Sequence, residues 1–257
     1  MLDVHSLHRA PTAWKEFLLH IATISVGLLI AIGLEQAVEL IHRHHELNRL
    51  RSDLRTEGLQ NRDGITVAIE YLKRGMTWDL DASSVTRSEE SHSASAETYP
   101  DRSVLVKARS TLTRFVTPSS AVWDVAKTNG TQVLLPRVEA AGYARLEHFH
   151  EQVLNAYWDY RRSGVELDSV EARFSSDPEA RRPNLSSLGT GQLEELSAAL
   201  MKDFAATREL VTDLQTFRSV NNAVLDGVFN EEGMARYVMS GRLSDAAAAS
   251  GSLPAKP

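Results

Sequence analysis

Cysteine is missing from this chain of 257 residues, which excludes disulfides, thiolate metal sites and a thiol nucleophile. No glycine-rich loop leads into a Lys-Ser or Lys-Thr pair, so the phosphate cradle of nucleotide-binding loops is not there. A Gly-x-Ser-x-Gly elbow is lacking too, and with it the exposed serine nucleophile that such a turn presents. Positive charge is in short supply: the net charge is −6, and the basic residues are dispersed among acidic ones. A nucleic-acid partner is not expected, because backbone phosphates demand a cationic face. No stretch alternates apolar and polar residues as a half-buried strand does. Between Phe17 and Leu34, finally, there is not one formal charge.

That last absence says most about where the protein resides. The stretch WKEFLLHIATISVGLLIAIGLEQAVELIHRHH, Trp14 to His45, holds an apolar run broken only by His20, Thr23 and Ser25. Its eighteen residues from Phe17 to Leu34 make roughly 27 Å of helix, close to the ~30 Å hydrocarbon thickness of a bilayer. Trp14 and Lys15 stand before it as interfacial anchors do, and Glu35 ends it where water or headgroups can solvate a carboxylate. His20 lies within one turn of the edge, able to reach headgroups or pair with another helix. A buried soluble helix is seldom apolar on every face for five turns. A cleaved signal peptide has a shorter apolar core followed by small residues, and here the helical pattern continues past Glu35. An uncleaved anchor is the expectation. Positive charges on the two sides nearly balance. Long domains cross a membrane largely regardless of flanking charge, which favours the leader inside and the domain outside.

Within the span Thr23, Gly27 and Ala31 recur every four residues. Small residues on one face let two helices approach closely in lipid, so these three are the candidates for helix pairing. Leu40, Leu47, Leu50 and Leu54 then form a short heptad-like seam of the coiled-coil kind. It can meet a second copy or the protein's own domain.

Composition changes at Asp81. The segment DASSVTRSEESHSASAETYPD is rich in Ser, Glu and Thr and reads as an exposed loop. Helical patterns resume over Ser103 to Val116. They continue in TPSSAVWDVAKTNG, with Ser119 or Ser120 as N-cap and Gly130 as stop, and again after Pro136 to about Val170. There Leu146, Phe149, Val153, Tyr157 and Tyr160 lie three or four apart. A second loop covers Ser175 to Gly191. The last long helix is expected from Gln192 to Val228, with Leu193, Leu196, Leu200, Phe204, Val211, Leu214 and Phe217 on one stripe. The expected organisation is a leader at 1–16, a transmembrane helix at 17–34, a juxtamembrane helical region at 35–80, a flexible loop at 81–101, an α-helical domain at 102–243 and a disordered tail at 244–257. The fold class is all-α: a single N-terminal transmembrane helix followed by an antiparallel helical bundle.

Chemistry-bearing residues are few. On a helix His42 and His45 share a face, but two imidazoles are too few for a closed zinc site unless Glu39 or Glu46 adds a carboxylate. Weakly basic imidazoles at headgroup level explain His42 and His45 more simply, and with Arg43 they are candidate membrane-interface residues like Trp14 and Lys15. The strings HELNR at His45 and HEQVL at His150 begin like a zincin helix, yet neither has a second histidine four residues on. Glu89–Glu90 and Glu231–Glu232 read as solvated charge. Tyr157, Trp158 and Tyr160 span more than one helix face, which fits core packing with one member at a surface. No catalytic residue, cofactor or metal is expected.

The residues do carry a resemblance. The Trp-Lys-acid-Phe opening, the Gly-Leu-Leu-Ile-Ala span, the Gly-Leu-Glu exit and the histidine-rich run resemble the anchor of a group of bacterial single-pass membrane proteins without a characterised activity. SAVWDVAKTNG followed by YARLEHFHEQVLNAY resembles their downstream helical part more loosely. The resemblance implies an anchor and a helical domain in a bacterial inner membrane, and it implies no functional residue. The expectation is a non-enzymatic anchored interaction or scaffold module whose partners are the lipid bilayer and a second copy or another membrane protein. The alternatives are an extracytoplasmic ligand-sensing helical bundle and, behind it, a metal-dependent enzyme.

Overall fold

A computed structural model describes residues 10–90, 99–100, 117–175 and 183–251, of which 10–13, 90 and 242–251 are described by their backbone alone. Five α-helices are present among them: α1 (Ala10–Glu90), α2 (Ala121–Asn129), α3 (Arg137–Phe174), α4 (Thr190–Leu225) and α5 (Glu231–Gly251). Short 3-10 turns lie at Thr131–Leu134 and Leu185–Ser187. Among the described residues the only extended pairing is a bridge between Ser175 and Pro183. The chain is all-α, as its patterning implies.

The chain divides into two units, Met1–Leu50 and Arg51–Pro257. In the first, every side chain from Trp14 to His45 is exposed. This stretch contains a run long and apolar enough to cross a membrane.

The second unit is built on three long helices. Ile65, Ala68, Ile69 and Leu72 of α1 meet Val153, Ala156, Tyr157 and Tyr160 of α3 and Leu210, Val211, Leu214 and Phe217 of α4. A second cluster joins Trp78, Ala82 and Val85 to Leu167 and Val170, with Leu193, Leu196, Ala199 and Leu200 opposite. These apolar residues recur at three and four, so each helix turns one stripe inward. Reading the clusters in order, α1 and α3 ascend together while α4 descends. The antiparallel relation expected of the bundle thus holds for α4 against α3, whereas α1 and α3 run parallel. Trp158 is 61% exposed beside the buried Tyr157 and Tyr160. The aromatic group therefore divides between core and surface.

Local chemistry sets the helix ends. Gly130 follows α2 with φ 79°, a left-handed conformation that costs glycine little. Gly227 follows α4 with φ 77°. There Gly227 N donates to Val224 O (3.0 Å) and Val228 N to Ala223 O (2.8 Å), the paired bonds of a Schellman ending. α5 then folds back on α4, with the Tyr237 hydroxyl donating to Asp226 (2.8 Å).

Several expected boundaries move. The loop expected from Asp81 does not start there, because α1 continues to Glu90, and 91–98 lie outside the described residues. Ala82 and Val85 are buried in the core, and the Thr86 hydroxyl bonds back to Ala82 O (2.8 Å). Packing outweighs the polar composition there. The part of the expected region 35–80 beyond Arg51 supplies one of the three core helices. Gly58 and Gly64 do not interrupt it. The last long helix stops at Leu225, and the expected tail at 244–257 is helical in backbone as far as Gly251. The expected helix at 103–116 lies outside the described residues.

Candidate functional site

A cavity of about 200 Å³ opens inside the Arg51–Pro257 unit. Its walls come from α1, the start of α2, α3, α4 and the turn after α4. Leu54, Leu146, Phe217, Val224, Leu225 and Phe229 make it apolar on most sides. Trp123 stacks on Tyr143 with centroids 5.5 Å apart, and Phe229 tilts against Tyr143 at 5.9 Å. Phe229 can press this close only because α3 carries Gly142 at the contact. A Cβ there would stand 2.6 Å from the Phe229 ring.

Polar groups line the remaining wall, and most are matched. Glu139, nearly buried, accepts from Arg51 Nη2 at 2.6 Å and Nε at 3.0 Å. This is a fork-to-carboxylate pair of the stronger kind. Glu147 accepts from the Trp123 indole (2.9 Å) and pairs with Lys127, which raises the ammonium pKa of Lys127 through that hydrogen bond and a second to Asp124. Asn61 holds Ser119 from both sides: its amide donates to Ser119 O and its oxygen accepts from Ser119 N, each at 2.8 Å. Glu57 accepts from the Ser119 hydroxyl (2.6 Å) and from Val122 N (3.2 Å). A carboxylate from α1 thereby caps α2, where the helix dipole also favours negative charge. Ser120 occupies the N-cap position without a side-chain cap bond. His150 bonds Pro118 O at 2.8 Å.

Three groups in this wall stand apart. Arg55 donates to Leu225 O (3.0 Å) and has no carboxylate within ion-pair distance among the described residues. The Tyr143 hydroxyl has no hydrogen-bond partner among them, and burial pushes its pKa up to about 12, so it remains a donor at any ordinary pH. Asn221 is 1% exposed; its amide donates to Gly58 O (2.8 Å), while its oxygen is buried with no partner among the described residues. An unmatched buried acceptor costs about 1–3 kcal/mol.

Asn61, Glu139, Tyr143 and Asn221 were not singled out from sequence, yet a signal existed. Asn221 continues the stripe of Leu214 and Phe217, Asn61 falls between Leu54 and Ile65, and Glu139 precedes Tyr143 by one turn. Polar residues at positions that a helical stripe reserves for the core mark buried networks.

The residues that were singled out lie in the first unit. Thr23, Gly27 and Ala31 share a face at four-residue spacing. The Thr23 hydroxyl bonds Leu19 O of its own helix (2.8 Å), and the space over Gly27 is open. His20 Nδ1 lies 2.8 Å from Glu16 O, again within the helix. Trp14 stacks on Phe17 at 5.5 Å, and Lys15 is exposed beside it. His42 pairs with Glu46 (3.1 Å) and Arg43 with Glu39 (2.7 Å), while His45 stays exposed. The Arg43 bond holds the Glu39 carboxyl below its ordinary range. Among the described residues no three His, Asp or Glu side chains gather as metal ligands would. Comparison with protein-family models, with curated proteins and with solved structures gives no match to this chain.

Proposed function

We propose that this protein is a membrane-anchored helical module that works by binding rather than by catalysis. Residues 17–34 hold it in a bacterial inner membrane, with the Arg51–Pro257 unit on the extracytoplasmic side. One observation carries the anchoring. Eleven large apolar side chains from Phe17 to Leu34 are 42–70% exposed and none is buried, whereas those exposed in the Arg51–Pro257 unit are scattered among buried ones. Leaving them in water forgoes on the order of 10 kcal/mol of transfer free energy, as much as the whole stability of a typical domain. A bilayer recovers it. Trp14 and Lys15 then sit at one interface, with His42, Arg43 and His45 beyond the other.

The same face gives the module a means of self-association. Thr23, Gly27 and Ala31 leave room for a second helix, and the Thr23 hydroxyl, satisfied within its own helix, carries no unmet polar demand into lipid. The full-length chain should stay in membranes through an alkaline wash, and a Leu28→Asp, Leu29→Asp double variant should release it. Recovery of the unaltered chain in the supernatant rejects the anchor. Crosslinking in membranes should trap a dimer that Gly27→Leu weakens; monomer alone, or no change with Gly27→Leu, rejects the pairing.

The cavity favours a second reading of the outer unit, that of a ligand-sensing helical bundle.

A further inference from the structure

The two-sided chemistry of the cavity limits what can enter it. A volume of about 200 Å³ somewhat exceeds the roughly 150 Å³ that accommodates benzene in a dry protein core. The walls formed by Leu54, Leu146, Phe217 and Val224 suit an apolar body of that size.

Charge decides the other end of the ligand. Five charged residues line the cavity: Arg51, Arg55, Glu57, Glu139 and Glu147. Arg51 and Glu139 neutralise each other, and Glu147 is held by Lys127 and the Trp123 indole. Glu57 is committed to the Ser119 hydroxyl and to an amide at the start of α2. Only the Arg55 guanidinium faces no carboxylate among the described residues. It keeps a backbone carbonyl for company and leaves most of its five donors for something else. The Tyr143 hydroxyl, a donor without an acceptor among the described residues, lies within electrostatic reach of Glu139 first and then of Arg51 and Arg55. The Asn221 oxygen, unmatched among the described residues, is an acceptor that calls for a donor and takes no part in holding a carboxylate.

We infer that this cavity binds a small monocarboxylate with an aryl or short alkyl body, its carboxylate taken by Arg55 and the Tyr143 hydroxyl and its body lodged against Leu54, Leu146 and Phe217. The inference rests on the ligand-sensing reading of the outer unit and is independent of the membrane anchor. A guanidinium fork matches a carboxylate in shape and charge. Burial of the phenol keeps the tyrosine protonated, so it donates to the anion rather than repelling it.

Benzoate is the probe. The full chain in lipid nanodiscs is titrated by calorimetry against empty nanodiscs of the same lipid, with benzamide and benzylamine of equal size in parallel. Benzoate should bind saturably, with benzamide and benzylamine at least tenfold weaker. Arg55→Gln should weaken benzoate at least tenfold while leaving the thermal unfolding of the domain unchanged, since Arg55 is exposed. Tyr143→Phe, which preserves the stack on Trp123, should weaken it severalfold. No saturable uptake of any of the three probes overturns both the inference and the ligand-sensing reading. Tighter binding of benzylamine or benzamide overturns the carboxylate and leaves a ligand site standing. Benzoate binding that Arg55→Gln does not alter overturns the assignment of the site.

Discussion

Between Trp14 and His45 no side chain of α1 is buried, whereas farther along the same helix Leu54, Ile65, Ala68, Ile69, Leu72, Trp78, Ala82 and Val85 all are. Both stretches are rich in aliphatic residues, and both are helical throughout. They differ in how apolar residues are distributed around the axis. The first is apolar on every side over Phe17 to Leu34, a surface that no single neighbouring helix can cover. The second turns most of its apolar residues to one stripe and leaves its Arg residues exposed, so two neighbouring helices suffice. Total hydrophobicity governs which solvent a helix prefers, and periodicity governs whether it packs.

The comparison breaks most plainly under truncation of a leucine. Leu214 is fully buried, while Leu29 is 68% exposed. Leu214→Ala should lower the unfolding free energy of the domain by about 2–5 kcal/mol, read from urea denaturation of the detergent-solubilised chain. Leu29→Ala should leave it within about 0.5 kcal/mol. Equal losses at the two sites contradict the division into an unpacked and a packed stretch.

Glycine sharpens the same contrast. Gly142→Ala forces a methyl group into the Phe229 ring and should cost about 1–3 kcal/mol by overpacking. Gly27→Ala meets open space and should leave the domain's melting temperature where it is. A tolerated Gly142→Ala means that Phe229 does not close the cavity as described. Polar removal comes next in size. Asn61→Ala strips Ser119 of two hydrogen bonds and leaves its backbone groups part-buried, so a loss of about 1–2 kcal/mol is expected in the same denaturation experiment. Glu39→Ala, which breaks only the exposed pair with Arg43, should leave the denaturation midpoint where it is.

Much of this architecture was legible in the residues themselves, and the limits are instructive. The stripes of α3 and α4 follow directly from leucines and tyrosines three and four apart, and the stop after α2 from Gly130. The end of α1 was not legible. Ser83, Ser84, Ser88 and Glu89 look like a loop in composition, but Ala82 and Val85 are held by a cluster that includes Leu167 and Leu196 from distant parts of the chain. Small and polar residues reveal nothing of such long-range support. The parallel course of α1 and α3 was hidden for a similar reason, since a pattern of stripes fixes which face is buried and not the direction of the neighbour. The cavity escaped notice because its chemistry is assembled from single polar residues on four segments. Each is unremarkable alone, and only the core positions of Asn61, Glu139 and Asn221 hinted at it.

Two carboxylates carry the comparison to its smallest scale. Glu39, exposed in the first unit, is held below its ordinary value by the hydrogen bond from Arg43. Asp213, half-buried on α4, is pushed the other way, above its ordinary value of 3.8, by burial and then by the nearby charge of Glu209. A raised acid binds its proton more tightly in the folded chain than in the unfolded one. Folding stability from Asp213 is therefore fully present below its ordinary value and is lost as pH rises through the folded value. At neutral pH the group is a small liability. Asp213→Asn removes the charge while keeping the shape, so it should stabilise the domain slightly at pH 7, with solvent screening holding the gain to about 0.5 kcal/mol or less. The gain should fade as the pH is brought below about 3.9, where the aspartate is neutral in both states. Thermal melts of the two proteins at pH 7 and pH 3.5 make the measurement. A difference that persists or grows in acid means that Asp213 is held by a partner in its charged form and that its burial does not dominate.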